Sequence, residues 1–266
     1  MLDTLIRNAT IVDGTGGAPY RASVGLQDGR IAEIGALEGA QAAEAVAADG
    51  LVLAPGFIDI HTHSDMTLLA VPDCLSMVQQ GTTTMVGGNC GFSMVPGEFP
   101  TFAEYFGAIE REGISANFCT YVGHGTIRRA VMGLDSMPPT PEQMAGMRKF
   151  VARSLEEGVV GLSSGLIYVP SMYGDVAELS QAARVLQAYD GVYTSHIRGE
   201  GETVFAAVAE AIEVGRRTGL RVQISHLKME SSLMWGRAEE LLDLIRRARQ
   251  EGLRINVDQY PYAAYA

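Results

Sequence analysis

Lysine is almost missing from this sequence: Lys149 and Lys228 are the only two in 266 residues. Acidic side chains outnumber basic ones, 31 to 20, giving a formal net charge of −11. That balance argues against nucleic acid and anionic membranes as partners, because both need basic patches. Cysteine is equally scarce. Cys74, Cys90 and Cys119 are an odd number in a long chain, which speaks against a disulfide scaffold. Reduced thiols, in a core or on a metal, are the better reading. No apolar run reaches the ~20 residues that span a bilayer. The opening MLDTLIRNAT lacks a basic segment followed by an apolar one, so it does not read as a secretory signal. The expected compartment is therefore the cytoplasm. Composition fixes no oligomeric state.

Two rhythms divide the chain. Residues 1–53 carry short, partly alternating runs (TLIRNATIVDG, RASVGLQDG, RIAEIG, LVLAPG) separated by Gly, Asp and Pro. These predict strands joined by tight turns, a partial β-sandwich domain. Residues 54–266 alternate short apolar segments with helical ones. The apolar segments are 56–63, 82–90, 117–125, 159–166, 192–197, 221–228 and 254–262. Apolar spacing near 3.6 predicts helices over 141–158, 203–219 and 237–252, each closed by glycine. Repeated strand–helix units with buried strands predict an α/β fold, a (β/α)8 TIM-like barrel. Seven strands are legible and an eighth is not. Two unpaired barrel edges would be costly. The chain is thus expected to be a fragment, or to be completed elsewhere.

Four of the five histidines, His61, His63, His196 and His226, fall at the C-terminal ends of predicted strands, where barrel enzymes carry their sites. His61 and His63 are two apart, so on a strand they share a face and reach one ion. Any one of these histidines alone reads as a core or surface residue. Four at matching strand ends argue for a ligand set converging on one mouth. Cys90 ends the second strand in GGNCG and adds a soft anion, a combination that suits zinc. Strand four holds no lysine to carry a bridging carbamate, which leaves Cys90 as the anionic candidate. Cys74 and Cys119 read as ordinary core thiols. His124, in YVGHG, has no evident partner and reads as structural, as does Asp258 in NVDQYPY.

GLSSG, residues 161–165, matches the serine-hydrolase pattern G-x-S-x-G. That motif needs a sharp strand-to-helix turn after the serine. Here LIYVPSMYGD follows, whose proline and glycine predict a loop. The serine reading also leaves His61 and His63 unexplained.

GFIDIHTHSD, QGTTTMVGGNCG, GLSSGLIYVP, TSHIRGEG and ISHLK together resemble the amidohydrolase superfamily and, within it, the N-acyl-D-amino-acid deacylases, or D-aminoacylases. The resemblance runs the length of the chain. It implies a zinc hydrolase, with one or two ions, that cleaves the amide of an N-acyl-D-amino acid by metal-bound hydroxide, giving a D-amino acid and a carboxylate. It implies His61, His63, Cys90, His196 and His226 as metal ligands. It also implies that Tyr168 and Lys228 hold the carboxylate of a small-molecule substrate. The family's catalytic aspartate, on strand eight, and a carboxylate-binding arginine have no counterpart in this sequence, so no catalytic base is assigned. Two alternatives stand beside this reading. One is a cyclic-amide hydrolase resembling dihydropyrimidinase, whose pattern has a carbamylated lysine on strand four. The other is an inactive fragment that keeps the ligands without the base.

Overall fold

The computed structural model describes residues 1–264. The chain divides into two compact units, Met1–Phe57 and Ile58–Ala266.

The first unit is one mixed sheet. β1 (Leu2–Ile11) pairs antiparallel with β2 (Tyr20–Gln27), and β2 with β3 (Arg30–Gly35). β4 (Ala42–Ala47) and β5 (Val52–Leu53) run parallel to β1. Asp28 and Gly29, both at positive φ, form the two-residue turn whose twist matches an antiparallel hairpin. Four small buried side chains, Ala9, Ile11, Val24 and Ala48, make the core.

The second unit is built on parallel strands. β6 (Phe57–Asp59), β7 (Thr82–Gly87) and β8 (Asn117–Thr120) follow one another in one sheet. β9 (Val122–Gly123), β10 (Gly161–Gly165), β11 (Val192–His196), β12 (Arg221–Ile224) and β13 (Ile255–Val257) follow in the next. β8 and β9 are one strand interrupted at Tyr121. Val160 N–H donates to Thr120 O at 3.0 Å across the join. Counted so, the described residues contain seven barrel strands, the number legible in the sequence. Between them run α1 (Leu75–Val78), α2 (Phe102–Glu112), α3 (His124–Met132), α4 (Pro141–Glu156), α5 (Val176–Ala183), α6 (Val204–Thr218) and α7 (Ala238–Gln250). The three helices predicted from apolar spacing correspond to α4, α6 and α7. Local chemistry sets their ends. Thr140 and Gln143 form a reciprocal capping box ahead of α4, and Gly219 closes α6 in the left-handed region. The apolar faces of the helices pack on the strands around Met147, Val151, Leu162, Leu179, Tyr193, Val208 and Ile224. Among the described residues no helix is long and apolar enough to cross a membrane.

Two sequence motifs turn out to be architectural. The GLSSG segment is β10 itself, buried throughout. Ser163 Oγ donates to Gly88 O at 2.5 Å, and Ser164 Oγ lies 2.8 Å from Tyr193 Oη. Neither hydroxyl is presented at a strand-to-helix turn, which removes the serine-nucleophile reading. His124 is structural but, contrary to expectation, fully partnered. Its Nε2–H donates to Glu178 Oε1 at 2.9 Å, and its Nδ1 lies 2.8 Å from Ser171 Oγ. Arg128, completely buried, donates to the same Glu178 oxygen at 2.9 Å. The partners lie 47 and 54 residues further along the chain, which is why the sequence hides them.

Replacing Arg128 with Met should strip a buried carboxylate of its cation and destabilise the protein by about 3–5 kcal/mol. Urea unfolding checks this, and an unchanged midpoint would contradict the network.

Candidate metal centre

The donors come from the C-terminal ends of four strands and the loops that follow them. β6 stops at Asp59, so strand alternation does not bring His61 and His63 together, as the spacing had suggested. A turn does so instead. Asp59 Oδ1 accepts from His61 N–H at 3.1 Å. Thr62, between the two histidines, is buried and tied to Val86 O through its N–H (3.0 Å) and its Oγ1 (3.1 Å). The two rings flank this anchor with centroids 5.7 Å apart.

Cys90 follows β7 through a loop that folds back on itself. Asn89, buried, donates to Val86 O at 2.9 Å. Cys90 and Gly91 then sit at φ 56° and 80°. The end of β10 passes so close that a Cβ on Gly165 would lie 1.9 Å from Cys90 O. Only glycine permits that approach. The result aims Cys90 Sγ at His61 Nε2, 3.4 Å away, and at His226 Nε2, 3.6 Å away. His196 is the last residue of β11. His226 lies two residues beyond β12 at φ 35°. Their rings meet edge to face, centroids 4.4 Å apart.

All five predicted donors therefore converge. Ligand atoms of His61, His63 and Cys90 lie within 4.8 Å of one another, as do those of Cys90, His196 and His226. Cys90 belongs to both groups. The donors line a cavity of about 530 Å³ that also presents Tyr168, Glu200, Lys228 and Tyr260. The Tyr168 ring packs between Phe92 and His196 at 5.1 and 5.0 Å.

The electrostatics fit a cation. Burial, then the charge of neighbouring His226, pushes His196 down from 6.5 to about 4. Burial first, then the charges of His61 and His226, lowers His63 as well. Burial, then the negative charges of Asp258 and Glu200, pushes the Cys90 thiol up to about 12. These imidazoles stay neutral and present lone pairs, and the thiol needs a compensating cation to ionise. Both ring nitrogens of His196 are buried without a hydrogen-bond partner among the described residues. Two imidazoles in each group around a shared thiolate suit zinc.

Two carboxylates at this site were given no part in it by the sequence reading. Asp258, expected to be merely structural, accepts from His226 N–H at 2.7 Å, Gln223 Nε2–H at 2.8 Å and His61 Nδ1–H at 3.1 Å. It thereby fixes His61 with Nε2 toward Cys90. Burial opposes its ionisation, but His61 and the other two donors outweigh that and hold it below the usual carboxylate range. Glu200, four residues after His196, has its Oε1 2.8 Å from His226 Nδ1 and its Oε2 2.6 Å from Lys228 Nζ. Burial opposes its charge too, and His226 and Lys228 together prevail. The one signal for Glu200 in the sequence is a carboxylate between two glycines just past a strand-end histidine.

The depressed imidazoles set a pH dependence. Between 6.5 and about 4 the unfolded chain takes up a proton at His196 that the folded, metal-free chain refuses. Stability of the metal-free protein should be full above 6.5 and fall as pH drops toward 4, at up to ~1.4 kcal/mol per pH unit for each such histidine. His63 adds to the same trend. Urea unfolding of chelator-treated protein tests this; a flat profile across that window would contradict the account.

Comparison with known proteins follows the same lines. The chain is 40% identical to N-acyl-D-glutamate deacylase from Alcaligenes xylosoxydans xylosoxydans, over 98% of this chain and 57% of that protein. A crystal structure of D-aminoacylase superposes with a TM-score of 0.93 at 33% identity, covering 98% of this chain and 59% of that one. N-acyl-D-glutamate deacylase from Bordetella bronchiseptica, complexed with zinc and a phosphonate mimic of the tetrahedral intermediate, gives 0.93 at 39% identity with the same coverage. The chain thus spans a little under three fifths of these relatives, and over that span it shares their (β/α)-barrel fold. The pattern of the amidohydrolase family matches residues 44–258 and takes in all five donors, so the chain belongs to the amidohydrolase family.

Proposed function

We propose that the protein is a zinc-dependent hydrolase that cleaves the amide bond of N-acyl-D-amino acids, releasing a D-amino acid and a carboxylate. One observation carries this reading. Two three-donor groups share Cys90 in a cavity that also presents Tyr168 and Lys228. His61, His63, Cys90, His196 and His226 would hold one or two zinc ions. When bound, zinc supplies Lewis acidity, polarising the acyl carbonyl and making water acidic enough to attack near neutral pH.

The chain's own residues do the rest. Lys228 offers an ammonium and Tyr168 a hydroxyl to the substrate carboxylate. Burial raises the Tyr168 pKa, so the group stays a phenol and can donate. Pinning the carboxylate at that wall fixes which enantiomer lays its amide over the donors. Asp258 holds His61, and the cavity wall formed by Tyr168 and His196 limits water around the scissile bond. Asp258 and Glu200 are both engaged with imidazoles, so neither is assigned as the base. The aspartate that the family places on strand eight has no counterpart among these residues.

The names of the similar proteins support the substrate class, and the zinc complex of one of them supports the metal. The cyclic-amide alternative is not favoured, because β10 carries no lysine. The partner is a small molecule, with neither nucleic acid nor membrane implied by the acidic charge. Three free thiols fit a reducing compartment, and we place the chain in the cytoplasm.

Elemental analysis of the purified chain should find zinc, and Cys90→Ala should lower its content. A parent chain without zinc would contradict the ligand set. With zinc bound, N-acetyl-D-amino acids should be hydrolysed in preference to their L-enantiomers. Lys228→Met should raise KM by about 10- to 100-fold with a smaller change in kcat, the expected loss for a hydrogen bond to a charged group. A KM that does not move would remove Lys228 from carboxylate recognition.

A further inference from the structure

Tyr168 stands on the loop of residues 166–174, between β10 and α5. That loop has little apolar packing to hold it, since Ile167, Tyr168, Val169, Met172 and Tyr173 are all exposed. Its placement therefore rests on polar ties. One lies on the α3 side, where the Oγ of buried Ser171 accepts from Gly165 N–H at 3.3 Å and sits 2.8 Å from His124 Nδ1. The other is Arg198, two residues after His196. Its Nη1–H donates to Met172 O, and its Nη2–H donates to Gly174 O at 2.6 Å. The same guanidinium grips Glu210 of α6, with Nε–H donating to Oε2 at 2.9 Å and Nη2–H to Oε1 at 2.8 Å. Buried Val204, Ala207, Val208, Ala211 and Ile212 fix α6 to the core.

We infer that Arg198 is a positioning residue that sets the place of Tyr168 by clamping this loop to α6. The inference rests on the role given to Tyr168 above. The path between the two residues is short. Met172, whose carbonyl takes the Arg198 bond, donates its own N–H to Tyr168 O at 2.8 Å. Tyr168 N–H in turn donates to Gly165 O at 3.0 Å. A loosened Met172 releases the turn that presents the Tyr168 ring to Phe92 and His196. The clamp needs arginine. A planar guanidinium holds several N–H groups in fixed directions, so it serves one carboxylate and two carbonyls at once. An ammonium gathers its donors on one nitrogen and cannot span them. Arg198 has no place among the described residues that line the metal cavity, so its effect on substrate passes through the loop.

The test uses the whole chain and the variants Arg198→Lys and Glu210→Gln. Amide hydrogen exchange of the metal-free protein, read by mass spectrometry, reports the loop directly. In Arg198→Lys the peptide over 166–174 should exchange about 10-fold faster or more, while α4 keeps the parent's rate. Glu210→Gln weakens the clamp from the α6 side and should give the same local change, which keeps the test decisive should the arginine variant misfold. On the zinc-loaded chain, Arg198→Lys should raise KM for N-acetyl-D-amino acids about 10-fold with a smaller change in kcat. Combined with Tyr168→Phe it should add little to the effect of Tyr168→Phe alone, because both act through one hydroxyl. Unchanged exchange over 166–174 in both variants, or effects of Arg198→Lys and Tyr168→Phe that multiply, would overturn the inference. A Tyr168→Phe variant with the parent's KM would instead remove Tyr168 from carboxylate recognition. The exchange rates then still decide whether Arg198 holds the loop.

Discussion

Lone pairs facing lone pairs are the constraint on which this site depends. His61, His63, His196 and His226 bring imidazole nitrogens to a common space, and Cys90 brings a sulfur between them. Burial keeps His196 neutral down to about 4 and the Cys90 thiol protonated up to about 12. Neutral acceptors at such distances repel or leave hydrogen-bonding capacity unused, and the orphaned nitrogens of His196 show that cost directly. A cation is the simplest species that satisfies all of them at once. Its binding would also release the thiol proton, so affinity and ionisation are linked.

The fold prepares that convergence, and local backbone strain completes it. Parallel strands point their C-terminal ends to one rim, so donors from β6, β7, β11 and β12 need only short excursions to meet. Two of those excursions use residues that rarely adopt positive φ. Cys90 and His226 both do so, at a typical cost of about 1–3 kcal/mol each. Surrounding contacts hold them there: Gly165 against the Cys90 carbonyl, and Asp258 on the His226 N–H. Cys90 reaches His61 on one side and His226 on the other because of this turn. The same loop geometry lets one thiol belong to both donor groups.

Periodic features were legible in the sequence, and contacts between distant segments were not. Buried strands and amphipathic helices carry their own spacing, so seven strands and helices over 141–158, 203–219 and 237–252 were readable, and α4, α6 and α7 lie within those ranges. The five candidate donors were nameable too, since imidazole and thiol at strand ends form a pattern along the chain, and the fold brings these side chains together. The route by which His61 and His63 meet was misjudged, because β6 ends before either residue and a turn, not alternation, aligns them. Asp258 gave no sign of its place, being 197 residues from His61. Glu200 resembled any loop carboxylate until His226 and Lys228 came into view beside it. The serines of GLSSG match a nucleophile motif in letters alone. Only the fold shows their hydroxyls turned into the interior.

The central claim is that Cys90 completes a metal centre with the four histidines. X-ray absorption at the zinc edge of the zinc-loaded chain tests it most directly. The account predicts one sulfur in the coordination sphere at ~2.3 Å, with the remaining ligands nitrogen or oxygen at ~2.0–2.2 Å. A sphere of nitrogen and oxygen alone would leave the thiol outside the centre and contradict the account.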